Sequence, residues 1–183
     1  RDLEAEARQR DFLASWGPPV PAEMGNTALQ NFDDQCRAML AAKPKVISSI
    51  MGLYPPAFVE EMKTHDILWF ATVTTVAEAR AAETAGADAI VAQGMEAGGH
   101  RGAFHAEDAE VQMTGLMALL PQICDAVSVP VIATGGIADG RGIAAALVLG
   151  ASAVQIGTGF LRSPEAKIPP LHADRLGRTE SYE

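Results

Sequence analysis

The sequence predicts an α/β fold built on a parallel β-sheet, and three observations support this prediction. Short apolar runs rich in β-branched residues alternate with alanine-rich helical stretches. The runs recur at a nearly constant interval along the chain, and the last two end in glycine-rich turns. Alternation of this kind is typical of β/α units, in which each strand is followed by a helix that packs against the sheet.

Five runs are predicted as strands buried on both faces, because their apolar character is continuous rather than alternating. These runs are Val46–Ile50, Ile67–Ala71, Asp88–Ala92, Val129–Thr134 and Ser152–Ile156. They start near residues 46, 67, 88, 130 and 152, at intervals of 21, 21, 42 and 22 residues. Three intervals fit one compact β/α unit, and the doubled interval indicates an insertion after the third strand.

Two helix boundaries are predicted from capping residues. Thr75 precedes a helix at Val76–Ala85 and is followed three residues later by Glu78, which is the pattern of a capping box. Asp139 is predicted to cap a helix at Gly140–Leu149 in the same way.

The region before the first strand has a different composition from the rest. A charged helix is predicted over residues 2–15, followed by a proline-rich connection and a second helix over residues 28–42. We therefore predict an N-terminal segment over residues 1–27 and a barrel domain over residues 28–183. A closed (β/α) barrel has eight units and about 250 residues. Five units are visible and both ends look cut, so we expect part of a barrel.

Composition and charge disfavour several functional classes. The formal net charge is −9, and an acidic domain without a basic stripe is a poor ligand for nucleic acid. No apolar run reaches the roughly 20 residues of a membrane span, so no membrane association is expected. Cys36 and Cys124 are far apart and form no CxxC motif, which predicts reduced thiols in a cytoplasmic protein.

The segment after the third strand, QGMEAGGHRGAFH, is the first candidate site. Its four glycines allow sharp turns and close approach to a ligand; they are Gly94, Gly98, Gly99 and Gly102. His100 lies among them, where an imidazole could accept a proton near neutral pH. Glu96 and Arg101 flank His100. Three other histidines are interpreted as structural or surface residues: His65, His105 and His172.

The next two strands both end in glycine turns. VPVIATGGIADGRG ends its strand at Gly135 and Gly136, and SAVQIGTGF ends at Gly157 and Thr158. Adjacent strand ends that present backbone N–H groups form an anion site, and barrels often bind phosphate after their last two strands. These turns predict a phosphate site without identifying the phosphate compound.

Three long segments occur in the same order in a known family: QGMEAGGHRG, VPVIATGGIADGRG and LVLGASAVQIGTGFLRSPEA. Over about residues 28–175 the chain resembles the nitronate monooxygenases. The resemblance implies an FMN-dependent (β/α)8 barrel of the TIM type that oxidises alkyl nitronates with molecular oxygen to a carbonyl compound and nitrite. By the order of the family, the five strands are the fourth to the eighth. The family's first strands have no counterpart in residues 1–30.

The resemblance also implies roles for individual residues. His100, in the GGH motif, corresponds to the base that acts on the acidic carbon of a nitroalkane. No metal ligand is implied. The implied FMN contacts are Gln93, Gly98, Gly99, Gly135, Gly136, Gln155, Ile156, Gly157 and Thr158.

Other functions remain open at this point. An FMN-dependent NAD(P)H enoyl-reductase of fatty-acid synthesis, which acts on an acyl-carrier protein, has a similar GGH loop and similar phosphate motifs. That family usually has an apolar residue after the loop histidine, where this sequence has Arg101. A sugar-phosphate barrel would explain the glycine turns but not the QGMEAGGHRG loop. A non-catalytic α/β fragment is a fourth possibility.

Overall fold

The computed structural model describes residues 2–26 and 30–178, and its core is a parallel sheet with the strand order β1-β2-β3-β4-β5. All five predicted strands are present, with bounds that differ from the predicted ones by at most two residues. The strands are β1 (Val46–Ser49), β2 (Leu68–Val73), β3 (Ala89–Gln93), β4 (Val131–Thr134) and β5 (Ala153–Gln155). Because neighbours in sequence are neighbours in the sheet, the predicted α/β class is confirmed.

Helices separate the strands as the sequence predicts. Those of the described residues are α1 (Leu3–Ala14), α2 (Phe32–Ala41), α3 (Pro56–Thr64), α4 (Val76–Thr84), α5 (Leu116–Ala126), α6 (Gly140–Val148) and α7 (Pro170–Arg178). Short 3-10 turns lie at Ala22–Asn26, Ala106–Asp108, Thr158–Phe160 and Pro164–Ala166. None of the helices in the described ranges is long and apolar enough to cross a lipid bilayer.

The second helix begins later than predicted. Its predicted range starts at residue 28, and residues 27–29 lie outside the described part of the chain. The side chain of Asn31 accepts hydrogen bonds from the backbone N–H groups of Asp33 and Asp34, at 2.9 and 3.2 Å. Asn31 therefore caps the helix and fixes its start at Phe32.

The chain divides into two compact units, residues 1–38 and residues 39–183. In the first unit, the Asp2 side chain caps α1 by accepting from the backbone N–H groups of Glu4 and Ala5. The second unit contains the sheet and the helices that follow its strands. A domain boundary between residues 27 and 28 stays a prediction.

Only one face of most strands is buried, which differs from the predicted burial on both faces. In β2, Trp69, Ala71 and Val73 are buried, whereas Leu68 is exposed and Thr72 is half-buried. The buried face packs against the helices, since α3 and α4 contact β2, and α4 and α5 contact β3. The central strand β3 alone is buried at every position. Outside β3, the other face of the sheet is exposed or half-buried among the described residues, and the candidate site forms at the edge where the strands end.

Glu78 joins the sheet, helix α4 and the insertion after β3. One carboxylate oxygen accepts from the backbone N–H and the hydroxyl of Thr74, at 2.6 and 2.8 Å, and from the Thr75 N–H at 3.1 Å. Thr75 in turn accepts from the Glu78 N–H, which confirms the predicted capping box. The other carboxylate oxygen accepts from the Phe104 N–H at 2.7 Å.

Replacing Glu78 with alanine should lower the free energy of unfolding by about 3 kcal/mol, because several buried donors would lose a charged acceptor. The measurement is urea unfolding followed by circular dichroism. Glu60→Ala is the matched control, since Glu60 is an exposed helical glutamate, and its effect should stay within about 0.5 kcal/mol. Equal effects of the two substitutions would contradict the role assigned to Glu78.

Candidate active site

Three strands end side by side at one edge of the sheet. Thr134, the last residue of β4, is in register with Gln93 of β3 on one side and Gln155 of β5 on the other. Its hydroxyl donates a hydrogen bond to the Gln155 carbonyl at 3.0 Å. Gln93, Thr134 and Gln155 therefore form a polar row at the strand ends, and the three chain segments leave the sheet from this row.

The doubled interval predicted after β3 consists of a long loop, residues 94–115, followed by helix α5. A hydrogen bond from the Met95 N–H to the Thr114 carbonyl, at 2.9 Å, closes the base of the loop. The carboxylate of Glu96 accepts from the Leu116 N–H at 3.0 and 3.1 Å. Glu96 thus caps α5, whose own N-cap residue, Gly115, has no side chain to do so.

The side chain of Gln93 holds the middle of this loop. Its amide oxygen accepts from the Gly102 N–H at 2.7 Å, and its amide nitrogen donates to the His100 carbonyl at 3.0 Å. At Gly102 there is no space for a side chain, because a Cβ atom would lie 2.9 Å from the Thr72 methyl group. The polypeptide from the His100 carbonyl to Gly102 is therefore tied to the end of β3.

The turn after β4 requires glycine for two reasons. Gly135 and Gly136 have φ angles of +116° and +64°, a region that residues with a side chain rarely adopt. A Cβ atom on Gly135 would lie 3.1 Å from the Ala97 backbone nitrogen and 3.3 Å from the Gly94 carbonyl oxygen. The turn and the long loop therefore pack closely through their backbones.

The turn after β5 approaches the same loop. A Cβ atom on Gly98 would lie 3.0 Å from the Thr158 hydroxyl. The backbone N–H groups of Gly136, Gly157 and Thr158 donate no hydrogen bond to any other described residue. Uncommitted N–H groups at two adjacent turns form the kind of site that binds an anion.

A cavity of about 840 Å³ opens between the three segments. Nine of the ten predicted site residues line it, and Gly99 is the exception, lying in the loop between two of them. Those that line it are Gln93, Gly98, His100, Gly135, Gly136, Gln155, Ile156, Gly157 and Thr158. Segments far apart in the sequence thus converge on one volume, as the motifs suggested.

His100 is exposed at the wall of this cavity, and its ring forms no hydrogen bond with another described residue. The other histidines lie elsewhere: His65 ends α3, with its Nδ1 atom 2.8 Å from the Glu61 carbonyl oxygen. His105 and His172 are exposed and do not line the cavity. An imidazole without a hydrogen-bond partner among the described residues, at the wall of a cavity, is able to accept a proton.

Several lining residues were not predicted from the sequence, among them Thr134, Ile137 and Arg162. Thr134 could have been found, because the last residue of a strand between two predicted site strands lies at the same edge. Arg162 had no such signal, since it follows the turn after β5 by several residues. Among the described residues that line the cavity, Arg162 alone has a lysine or arginine side chain.

Comparison with known proteins identifies a family. The family model described as nitronate monooxygenase matches residues 5–181. The chain is 44% identical over 147 residues to a probable nitronate monooxygenase of Staphylococcus aureus (strain JH9), covering 80% of this chain and 41% of the relative. A probable nitronate monooxygenase of Bacillus subtilis (strain 168) is 42% identical over 95% of this chain and 52% of the relative. The chain spans about half the length of these relatives.

Two solved structures are similar in fold. The nitroalkane oxidase from Streptomyces ansochromogenes superimposes with a TM-score of 0.80 at 35% identity, over 94% of this chain and 50% of that one. FabK from Thermotoga maritima gives a TM-score of 0.69 at 35% identity, over 81% of this chain and 44% of that one. Both are TIM barrels, which confirms the predicted barrel class.

Gly135, at the start of the turn between β4 and α6, and Gly140, at the end of that turn, should respond differently to substitution. Gly135→Ala should lower the free energy of unfolding by about 1–2 kcal/mol, because it places a Cβ atom at a positive φ and against a backbone nitrogen. Gly140→Ala is the control, since Gly140 has open space around it and begins helix α6; it should be neutral or stabilising by up to about 1 kcal/mol. Thermal and urea unfolding would measure both, and a destabilisation confined to Gly140→Ala would contradict the geometry.

Proposed function

Because the chain belongs to the nitronate monooxygenase family, we propose that it contributes active-site residues to an FMN-dependent oxidation of alkyl nitronates. Molecular oxygen is the oxidant, and the products are a carbonyl compound and nitrite. The observation that supports this proposal most strongly is the convergence of the loops after β3, β4 and β5 on one cavity. That cavity combines uncommitted backbone N–H groups with one free imidazole.

The chemistry of the cavity suits a phosphate group, and its volume suits a ligand of the size of a flavin nucleotide. The N–H groups of Gly136, Gly157 and Thr158 are uncommitted among the described residues and belong to adjacent strand ends. The Thr158 hydroxyl lines the same wall and could donate a further hydrogen bond to a phosphate oxygen. The volume of about 840 Å³ lies within the roughly 300–1,000 Å³ of typical ligand sites.

The polar row at the strand ends lies between the long loop and the turns that are proposed to bind the phosphate. Gln155 and Thr134 both line the cavity between the turn after β5 and the loop that carries His100. Gly136 and Thr158 would hold the phosphate, and Thr134 and Gln155 would offer polar groups to the rest of the flavin. When bound, FMN supplies the redox chemistry, and the protein supplies position and electrostatics.

His100 acts in the proposed reaction when the substrate is a neutral nitroalkane. Its imidazole removes the proton from the carbon that bears the nitro group, the C–H bond breaks, and the electron pair delocalises into the nitronate. A substrate supplied as the nitronate has already lost this proton. The contribution of His100 should therefore depend on the form in which the substrate is added.

A flavin-dependent enoyl-reductase is the alternative, and the similarity to FabK at a TM-score of 0.69 is the observation that favours it. The two functions differ in their co-substrates. A reductase oxidises NAD(P)H and requires an acyl-carrier partner, whereas the monooxygenase consumes oxygen with a small nitronate. Oxygen uptake and NAD(P)H oxidation, measured on the same preparation, separate them.

We also propose a cytoplasmic location and a small-molecule substrate. Cysteine usage supports the location, since Cys36 and Cys124 lie on different helices and share no disulfide. The moderate size of the cavity supports the substrate class.

His100→Asn should reduce kcat/KM for a neutral nitroalkane by about 10²- to 10⁴-fold, since a general base contributes about that factor. Turnover of the preformed nitronate should change little. Oxygen uptake is measured with both substrates in the gene product that contains these 183 residues. His105→Asn is the control, because His105 is exposed and does not line the cavity. Equal losses with both substrates would rule out the assignment of His100 as the base.

Thr158→Val should weaken FMN binding by about tenfold, because one hydrogen bond to a charged group contributes about 1.5 kcal/mol. Riboflavin lacks the phosphate, so its affinity should be unchanged in the same variant. Flavin fluorescence titration measures both dissociation constants. A parallel loss of affinity for both flavins would place Thr158 beside the ring instead of the phosphate.

A further inference from the structure

The loop that carries His100 is rich in glycine, yet its conformation is fixed by a small set of side chains. Gln93 ties the His100 carbonyl and the Gly102 N–H to the end of β3. Glu78 holds the Phe104 N–H. Arg101, the neighbour of His100 in sequence, adds a side-chain connection between the end of β3 and the far part of this loop.

Arg101 bridges two carbonyl groups that are 19 positions apart in the chain. One terminal nitrogen, Nη1, donates to the Gln93 carbonyl at 3.1 Å, and the other, Nη2, donates to the Gln112 carbonyl at 2.8 Å. The planar guanidinium presents its donors in a fixed geometry, so these two bonds fix the spacing of the segments they join. The side chain is therefore directed into the body of the loop and does not line the cavity.

The surroundings of Arg101 show that its cation is partly buried. Burial lowers the pKa of the guanidinium below its usual value, and the charges of Glu78 and Glu96 oppose this shift. The Nε atom is buried and has no hydrogen-bond partner among the described residues. Both carboxylates are already engaged, Glu78 with backbone and hydroxyl donors and Glu96 with the Leu116 N–H. A partly buried cation that does not line the cavity and binds two backbone carbonyls is suited to a structural role.

We propose that Arg101 is a positioning residue that sets the direction of the His100 side chain. This inference rests on the proposed role of His100 as a base. The backbone of His100 is fixed on its carboxyl side, by the bond from Gln93 to its carbonyl and by the bridge that the next residue, Arg101, forms. Without the bridge, the glycines around His100 would let the imidazole move, and a displacement of about 1 Å can cost about 100-fold in rate.

Lysine cannot replace arginine in this role. A lysine ammonium is a single point of charge, whereas two terminal nitrogens of the guanidinium reach Gln93 and Gln112 at once. Arg101→Lys therefore preserves the charge beside Glu78 and Glu96 but breaks the bridge. The substitution separates the electrostatic contribution of Arg101 from its geometric one.

The test uses the FMN-loaded gene product that contains these 183 residues. In Arg101→Lys, kcat/KM for a neutral nitroalkane should fall by about 100-fold, whereas turnover of the preformed nitronate and the bound flavin content should stay near the parent values. Amide hydrogen exchange over residues 94–112 should be faster, which reports on the loop without depending on activity. Arg80→Lys is the control, since Arg80 is exposed on α4, and it should change none of these quantities.

Two results would overturn the inference. One is an unchanged ratio of nitroalkane to nitronate turnover in Arg101→Lys, and the other is unchanged amide hydrogen exchange over residues 94–112. Arg101→Met, which removes the charge, should show the same split between substrates if the lysine variant proves unstable. His100→Asn measured in parallel separates the claims. If that variant loses both activities equally, the proposed base is wrong; if only the Arg101 variants lack the split, the positioning role is wrong.

Discussion

The pairing of β4 with β3 on one side and with β5 on the other is the constraint on which the candidate site depends. Thr134 is in register with Gln93 and with Gln155, so three chain segments leave the sheet from adjacent positions. A shift of one residue in either pairing would turn the polar side chains to the opposite face of the sheet. The close approach of Gly98 to Thr158 and of Gly135 to Ala97 follows from this register.

Acidic residues near the site contribute to its architecture more than to its chemistry. Glu78 accepts from Thr74, Thr75 and Phe104, and Glu96 accepts from the N-terminus of α5. Glu78 thereby satisfies backbone N–H groups before α4 and in the long loop, and Glu96 satisfies an N–H group of α5 that its N-cap residue, Gly115, has no side chain to cap. In a chain with a net charge of −9, this arrangement leaves the N–H groups of the glycine turns available for an anionic ligand.

The sequence predicted the strands, the capping box at Thr75 and the convergence of three motifs, because each depends on local periodicity or on the order of β/α units. It did not predict the open face of the sheet, since continuous apolar runs do not show which side the helices cover. The bridge from Arg101 to Gln112 was also missed, because hydrogen bonds between a side chain and distant carbonyls leave no pattern in the sequence. Arg162 was missed as well, because it reaches the cavity from an irregular segment, which has no periodic pattern in the sequence.

The central claim is that the glycine turns after β4 and β5 bind the phosphate of FMN while the loop after β3 presents His100 to the flavin. A crystal structure of the FMN complex tests it most directly. The account predicts phosphate oxygens within about 3 Å of the N–H groups of Gly136 and Thr158, with the His100 imidazole facing the ring system. Phosphate bound away from both turns, or a flavin with its ring system at the glycines, would contradict it.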